Sequence, residues 1–285
     1  SNGTRSNCRP SSWKTFAGSS RKDPNITSKD VGDFPIVYIS HKEQTAIANL
    51  LNTWDRAIDT LTQLIAQKEQ RKKWLMQQLL TGKKRLKGFK GEWRRESLSL
   101  HAKEVSIRNK ENVDLTVLSC TKYDGLVPSL EYFGRKVFAD DLSTYKLVPR
   151  NHFAYATNHI EEGSIGYQSR FKEGLISPMY TVFKTGKELN DEFLYLVLKS
   201  HVYIHEYKKR MEGSIDRRGG LRWEEFSKIR VPVLSMDEQN AIADFFNLYN
   251  KEQELLKRRL DQIKEQKKGL MQILLTGKKR LHIKR

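Results

Sequence analysis

The 285-residue chain has only two cysteines, Cys8 and Cys120, far apart and without metal-ligand spacing. That excludes a disulfide framework and a thiolate zinc site, and it suits a reducing cytoplasm. Long apolar runs are missing as well: stretches such as Phe193-Leu194-Tyr195-Leu196-Val197-Leu198 are short, so no membrane span is expected. The N-terminus carries no apolar signal region. Catalytic signatures are absent. There is no G-x-x-x-x-G-K-[ST] loop, and Gly163-x-x-Gly166 lacks the strand–helix setting and third glycine of a dinucleotide site. No Asn/Asp-Pro-Pro-aromatic run of the adenine-methylating kind occurs, nor a carboxylate cluster fit for a nuclease metal. His, Cys and Asp are too scattered for a triad or a zinc centre. His152 and His159 read as surface or part-buried residues, and Asp140-Asp141 and Glu161-Glu162 as solvated acids beside turns. No catalytic residue, metal ligand or cofactor of the chain's own is therefore expected.

What the chain does have, it has twice. A shift of 195 positions lays Ser40 on Ser235, Glu43-Gln44 on Glu238-Gln239, Ala46-Ile47-Ala48 on Ala241-Ile242-Ala243, and Leu75-Met76-Gln77 on Leu270-Met271-Gln272. Leu79 to Leu86 (LLTGKKRL) recurs identically as Leu274 to Leu281. An internal repeat takes precedence over other signals. Each copy reads as one long helix. It opens at an S-x-x-E capping box (Ser40 to Glu43; Ser235 to Glu238), in which both side chains satisfy orphan amides. It closes at Gly82 or Gly277 ahead of Lys-Lys-Arg, a glycine cap with cations at the negative end of the dipole. About 41 residues at ~1.5 Å each make a rod of roughly 60 Å.

A rod of that length needs an apolar seam. The 4-3 spacing selects Ile47, Leu51, Trp54, Ile58, Leu61, Ile65, Leu75 and Leu79 in the first copy, with Lys68 and Lys72 interrupting. In the second it selects Ile242, Phe246, Tyr249, Leu256, Leu260, Ile263, Leu270 and Leu274, with Gln253 and Lys267 interrupting. Such a seam points to a coiled coil, and the simplest partner of each helix is the other copy. The alternative is two unrelated amphipathic surface helices.

The net charge of +18 points to a polyanion. Basic and acidic residues number 6 and 3 over 1–40, 11 and 4 over 41–90, 23 and 20 over 91–234, and 12 and 7 over 235–285. The excess thus sits on the two repeats, and the middle must meet phosphates through local clusters. The run Lys83, Lys84, Arg85, Lys87, Lys90 is either such a cluster or a solvated helix end.

Four regions follow. Residues 1–33 are rich in Ser, Asn, Asp, Gly and basic residues and are expected to be poorly ordered, or the remnant of a missing first domain. Residues 34–89 are a strand (Phe34 to Ile39) feeding the first helix, and 231–285 repeat that unit, with a strand at Arg230 to Leu234. Residues 90–230 form a mixed α and β globule. Strands are expected at Val113–Ser119, around Val137-Phe138, at Tyr145–Val148 and Phe153–Ala156, and at Leu175–Phe183, where Pro178 suggests an edge or bulge. Tyr123-Asp124-Gly125 reads as a turn and Glu162–Tyr167 as a glycine-punctuated turn pair. Asn190–Lys209 has helical periodicity and Glu224–Lys228 a brief helical turn. The fold class is α+β: a globule flanked by two long helices in an antiparallel coiled coil.

These pieces resemble one family. A Pro-containing strand leads to Glu-Gln-x-x-Ile-Ala at both helix starts, and Lys-Lys-x-Leu-Met-Gln-x-Leu-Leu-Thr-Gly-Lys closes both helices. Between them stand Val117-Leu118-Ser119, Gly163-Ser164-Ile165-Gly166, and Gly174-Leu175-Ile176-Ser177-Pro178 followed by Tyr180. Together, from about residue 34 onward, they are similar to the specificity subunit of type I restriction-modification systems. The resemblance implies a non-catalytic chain whose target-recognition domain reads half of a bipartite site on double-stranded DNA. It implies helices that pack antiparallel as a spacer and dock methyltransferase subunits. S-adenosylmethionine then belongs to those subunits and ATP to a motor-nuclease subunit, all in the cytoplasm and away from membranes. Full-length members have two recognition domains and this chain shows one, so it resembles the C-terminal half or a short form, and a short form restores the second domain by homodimerising.

Loops on a rigid scaffold carry recognition, and Arg, Lys, Asn and Gln read base edges. The candidates are Lys122 and Tyr123, Asn158 and His159, Tyr167, Gln168 and Arg170, and Arg217, Arg218 and Arg222. Any of them can instead be a phosphate contact or a solubilising charge. Two rivals stay open: a coiled-coil structural adaptor whose middle domain binds protein, and a binder of single-stranded RNA, which would want an aromatic platform.

Overall fold

The computed structural model describes residues 38–212 and 220–281, together with Ser28, Gly32 and Asp33. Expectations for the rest of 1–33, for 34–37 of the first strand, and for Arg217 and Arg218 lie outside the described residues. The chain forms two compact units, Ser1–Lys68 with Glu252–Arg285, and Glu69–Lys251.

The first unit is built on most of helix α1 (His41–Leu79) and the C-terminal part of the last helix, α6 (Met236–Leu275). Asp55 pairs with Lys267 and Lys68 with Glu252 at 2.8 Å, while Glu43 pairs with Arg280. Numbers rise along one helix as they fall along the other, so the two run antiparallel. Ile47, Ile65, Leu260 and Leu274 are buried, and Leu51, Trp54, Ile58, Leu61, Leu256, Ile263 and Leu270 are half-buried. The seam tolerates Lys68 and Lys267 because each meets a carboxylate of the facing helix. The C-terminal cap is a left-handed glycine, Gly277 at φ 69°, with the Lys279 amide bonded to the Ile273 carbonyl at 3.0 Å. At the other terminus the Glu43 amide donates to Ser40 Oγ at 3.4 Å. The reciprocal arm of the expected box is corrected: the carboxylates of Glu43 and Glu238 turn to Arg280 and Arg85 instead, since an ion pair outweighs a neutral amide contact.

The second unit holds the globule, the end of α1 and the start of α6. Strands β1 (Arg94–Ser97) and β10 (Arg230–Val233) pair antiparallel. A four-stranded antiparallel sheet follows the order β2 (Ala102–Glu104), β9 (Tyr180–Thr185), β6 (His152–Ala156), β7 (Ile165–Gln168). Two further pairs are β3 (Leu118–Thr121) with β4 (Gly125–Pro128), and β5 (Lys146–Pro149) with β8 (Glu173–Ile176). Central β6 is buried throughout, as an inner strand covered on both faces must be. Phe153 stacks on Phe183 across the ladder with centroids 4.8 Å apart, and Tyr155 on Phe226 at 4.3 Å. Helices α3 (Asp191–Leu198), α4 (His201–Glu212) and α5 (Trp223–Phe226) close the core. Leu79, Leu80, Ile242 and Phe246 join that same core, with Leu75 packed against it; Tyr249 is half-buried. Here the seam serves the globule as well as the rod.

Several sequence expectations shift. The strand at Val113–Ser119 begins only at Leu118, Val117 contributing a single bridge to Leu175. Val137-Phe138 is not a strand, and a one-turn helix, α2 (Ser129–Phe133), precedes it. Leu175–Phe183 is two strands in different sheets, because Pro178 sits in the turn between β8 and β9 rather than at a bulge. Gly166 lies inside β7, where its missing side chain admits the backbone of Leu126. Asn190 caps α3 by accepting from the Phe193 amide at 2.8 Å, but the helix breaks at Lys199-Ser200. Strand β1 is too polar (Arg-Arg-Glu-Ser) to have signalled itself.

Candidate nucleic-acid interface

Strands β6 and β7 pair His152 with Gln168 at one end and Tyr155 with Ile165 at the other. The described candidate residues fall at these two ends, roughly 10 Å apart along the strands.

At the Ala156 end several turns converge. The β3–β4 turn presents Lys122 and Tyr123, the latter 79% exposed, with the ammonium 5.4 Å from the ring centre. The segment after β6 carries Asn158, half-buried, and His159, exposed, and then winds through a 3-10 turn (Ile160–Glu162) to left-handed Gly163 at φ 90°. Lys199 joins the two: its Nζ donates to the carbonyls of Lys122 at 2.7 Å, Gly163 at 2.8 Å and Thr121 at 3.3 Å. Arg222 is exposed nearby in the chain, for the Leu221 amide donates to the Thr157 carbonyl at 3.0 Å. Met179, exposed in the β8–β9 turn, is tied to the same end by Thr157 Oγ1 donating to its carbonyl at 3.1 Å.

At the His152 end Tyr167 and Gln168 serve structure. The Tyr167 hydroxyl donates to Asn151 Oδ1 (3.0 Å) and faces Asp191 Oδ2 (3.2 Å). Burial, then the charge of Asp191, drives its pKa upward. Gln168 is 2% exposed, and its Oε1 accepts the amides of Arg170 and Phe171. It staples a loop and offers no edge to a ligand. Arg170 is exposed with its guanidinium 5.4 Å from the Phe171 ring centre. Arg150, which sequence reasoning passed over, reaches the carbonyls of Arg170 and Phe171.

Cys120 is buried, and burial pushes its thiol up to about 12, which leaves it protonated and inert. Asp191 is raised from the ordinary carboxylate value by burial, against hydrogen bonds from Thr185 and Tyr167. His159, Glu161 and Glu162 bring ligand atoms within 4.8 Å of one another, but His159 and Glu162 face solvent. Lys199 and Met179 were missed because nothing local marks them; one depends on contacts about 36 and 77 residues away in sequence.

Residues 132–265 match the family model described as type I restriction modification DNA specificity domain. The type I restriction enzyme MjaVIII specificity subunit of Methanocaldococcus jannaschii is 25% identical over 90% of this chain and 65% of its own length. The crystal structure of the type I restriction-modification S subunit from M. genitalium matches with a TM-score of 0.53 at 18% identity, over 88% of this chain and 66% of that one. The HsdS subunit from Thermoanaerobacter tengcongensis matches at 0.54 and 15%, over 92% and 66%. The chain thus spans about two-thirds of the length of these relatives. Residues 132–265 thus match a type I restriction-modification DNA specificity domain, and the chain shares the fold of these two S-subunit structures.

Proposed function

We propose that this chain is a DNA-recognition subunit of a type I restriction-modification complex, reading half of a bipartite duplex site and leaving chemistry to companions. The observation that carries the reading is the convergence of three turns, with Lys122, Tyr123, Asn158, His159 and Arg222, at one end of the central sheet, the last three residues lying inside the segment that matches a specificity domain. Arg170 at the far end of the same strands is a phosphate-contact candidate, and Arg217 and Arg218, outside the described residues, precede Arg222 in the chain. The paired helices act as spacer and as dock for methyltransferase subunits, which bring S-adenosylmethionine, with a motor-nuclease subunit bringing ATP. No helix among the described residues is long and apolar enough to cross a membrane.

The repeat supports a second recognition globule in the assembly. Val233 is 3% exposed beneath the globule, whereas its counterpart Tyr38 is 87% exposed. Leu80 is 3% exposed and its counterpart Leu275 53%. Leu275 and Met271 line an open groove of about 420 Å³ with Ile58 and Lys267. A second chain fills that role where the subunit is half-length. The test is co-purification with a cognate methyltransferase subunit, weighing of the complex, and sequencing of the sites it methylates. A split motif with one recognition chain per half supports the reading; methylation without sequence preference overturns it.

A further inference from the structure

The hairpin β3–β4 forms its own two-stranded sheet, with no ladder to the central four strands. Its place over β7 comes from packing. Leu126 lies so close to Gly166 that a Cβ there would stand 2.4 Å from the Leu126 nitrogen, and a Cβ on Gly125 would stand 2.5 Å from the Tyr195 hydroxyl. Those contacts hold the body of the hairpin. Its tip, Thr121 to Asp124, is held by Lys199.

Lys199 is the C-cap residue of α3, where a cation suits the helix dipole. It does not reach for solvent. An ammonium has three donors, and the carbonyls of Thr121, Lys122 and Gly163 take all three. In a chain of net charge +18 the obvious use of a lysine is a phosphate contact. This one has no proton left to offer. Side chains that discriminate bases must be held to about 0.5 Å, and Lys199 is the link between two turns that no ladder joins.

We propose that Lys199 is a positioning residue for sequence reading: it locks the turn bearing Lys122 and Tyr123 to the turn that follows Asn158 and His159, fixing the spacing at which both meet base edges. The proposal rests on the reading of this end as the DNA-contacting face.

The full chain, alone and with a co-purified methyltransferase subunit, is incubated with a pool of random-sequence duplexes, and the bound fraction is sequenced. Lys199→Met keeps the aliphatic stem and removes the donors; Lys199→Gln keeps two and guards against a variant that fails to fold. The wild type is expected to enrich a motif. In Lys199→Met, enrichment at a subset of positions falls about five- to hundredfold, while affinity for a fixed non-specific duplex and its salt slope stay unchanged. Lys199→Gln falls between. Amide exchange at 121–124 and 160–164 rises together in both variants. An undiminished motif in Lys199→Met overturns the proposal and leaves the recognition function standing. A salt slope lower by about one unit makes Lys199 a phosphate contact and overturns it too. Parallel loss of specific and non-specific binding reduces the residue to fold maintenance, which is again contrary. A wild type without any motif sinks the recognition reading itself, and this proposal with it.

Discussion

Arg85 grips Glu238 with two donors on one edge of its guanidinium, Nε to Oε1 and Nη2 to Oε2, each at 2.5 Å. Trp93 adds its indole N–H to Oε2 at 3.2 Å and lies under the Arg85 cation, 5.4 Å from its ring centre. The repeat places Arg280 and Glu43 at the corresponding positions, and they form the same two-pronged pair in the other unit. So the Glu that opens each helix is held by the Arg that follows the close of the other copy. The eight-residue identity has a physical reason: its arginine is a lock.

Breaking the lock in the globular unit is therefore costly. Glu238 is nearly inaccessible and Arg85 is a quarter exposed. Arg85→Met strands a carboxylate and is expected to destabilise by about 2–3 kcal/mol, below the ~3–5 kcal/mol of a fully buried pair because solvent reaches the site. The double variant Arg85→Met/Glu238→Met is expected to recover most of the loss. Chemical denaturation of the single and double variants checks this; equal losses would mean that the ion pair is incidental.

The mirror pair supplies an acid-sensitive tip. A side-chain hydrogen bond from Arg280 holds the Glu43 carboxyl below its ordinary 4.5. A depressed carboxylate contributes fully above its unfolded value and loses that contribution as pH falls through the folded one. Helical amides near Glu43 are expected to exchange faster as pH drops below about 4.5, after correction for intrinsic rates. Glu43→Gln should flatten the dependence. Arg280 is 61% exposed, so the effect is local rather than global.

The long elements were legible and the short ones less so. Both helices begin and end within three residues of their sequence signals, because Ser40 accepts the Glu43 amide and Gly82 and Gly277 take the left-handed cap conformation. Strands of four residues carry too few side chains to show a period, and β1 is held by its ladder to β10 and not by apolar content. Among the reading candidates, Lys122, Tyr123, Asn158 and His159 share an end because Lys199 and Gly163 bring their turns together. Gln168 looked equally suitable as a string of letters; only the fold reveals that its amide oxygen is taken by the loop after it and its amide nitrogen is buried.

Gln239 and Gln44 differ only in company. Gln44 Nε2 donates to the Ile39 carbonyl at 2.8 Å, just as Gln239 Nε2 donates to Leu234 at 2.9 Å. Fully buried Gln239 also donates to the Glu188 carbonyl and accepts the Asn190 amide, both at 2.8 Å. Gln239→Ala orphans buried backbone groups and should cost about 1–3 kcal/mol. Gln44→Ala, on an exposed residue, should leave the stability of this chain unchanged within about 0.5 kcal/mol. Thermal melts of the two variants compare them directly, and equal shifts would show that Gln239 does not latch the globule to its helix.

Two glycines should respond to alanine in opposite directions. A Cβ at Gly166 would meet the Leu126 nitrogen at 2.4 Å and Leu126 Cγ at 2.6 Å. One of those is backbone, so the hairpin must lift, at a cost of about 1–3 kcal/mol. Gly269 lies within α6 where the first copy has Trp74, and a Cβ there meets nothing within 4 Å. Alanine at that site removes the entropic cost of a helical glycine and should stabilise the unit by about 0.5–1 kcal/mol. Denaturation midpoints of Gly166→Ala and Gly269→Ala measure both. If Gly166→Ala matched the wild type, the hairpin would be free to ride up from β7, and the tip held by Lys199 would have no fixed base to be positioned from.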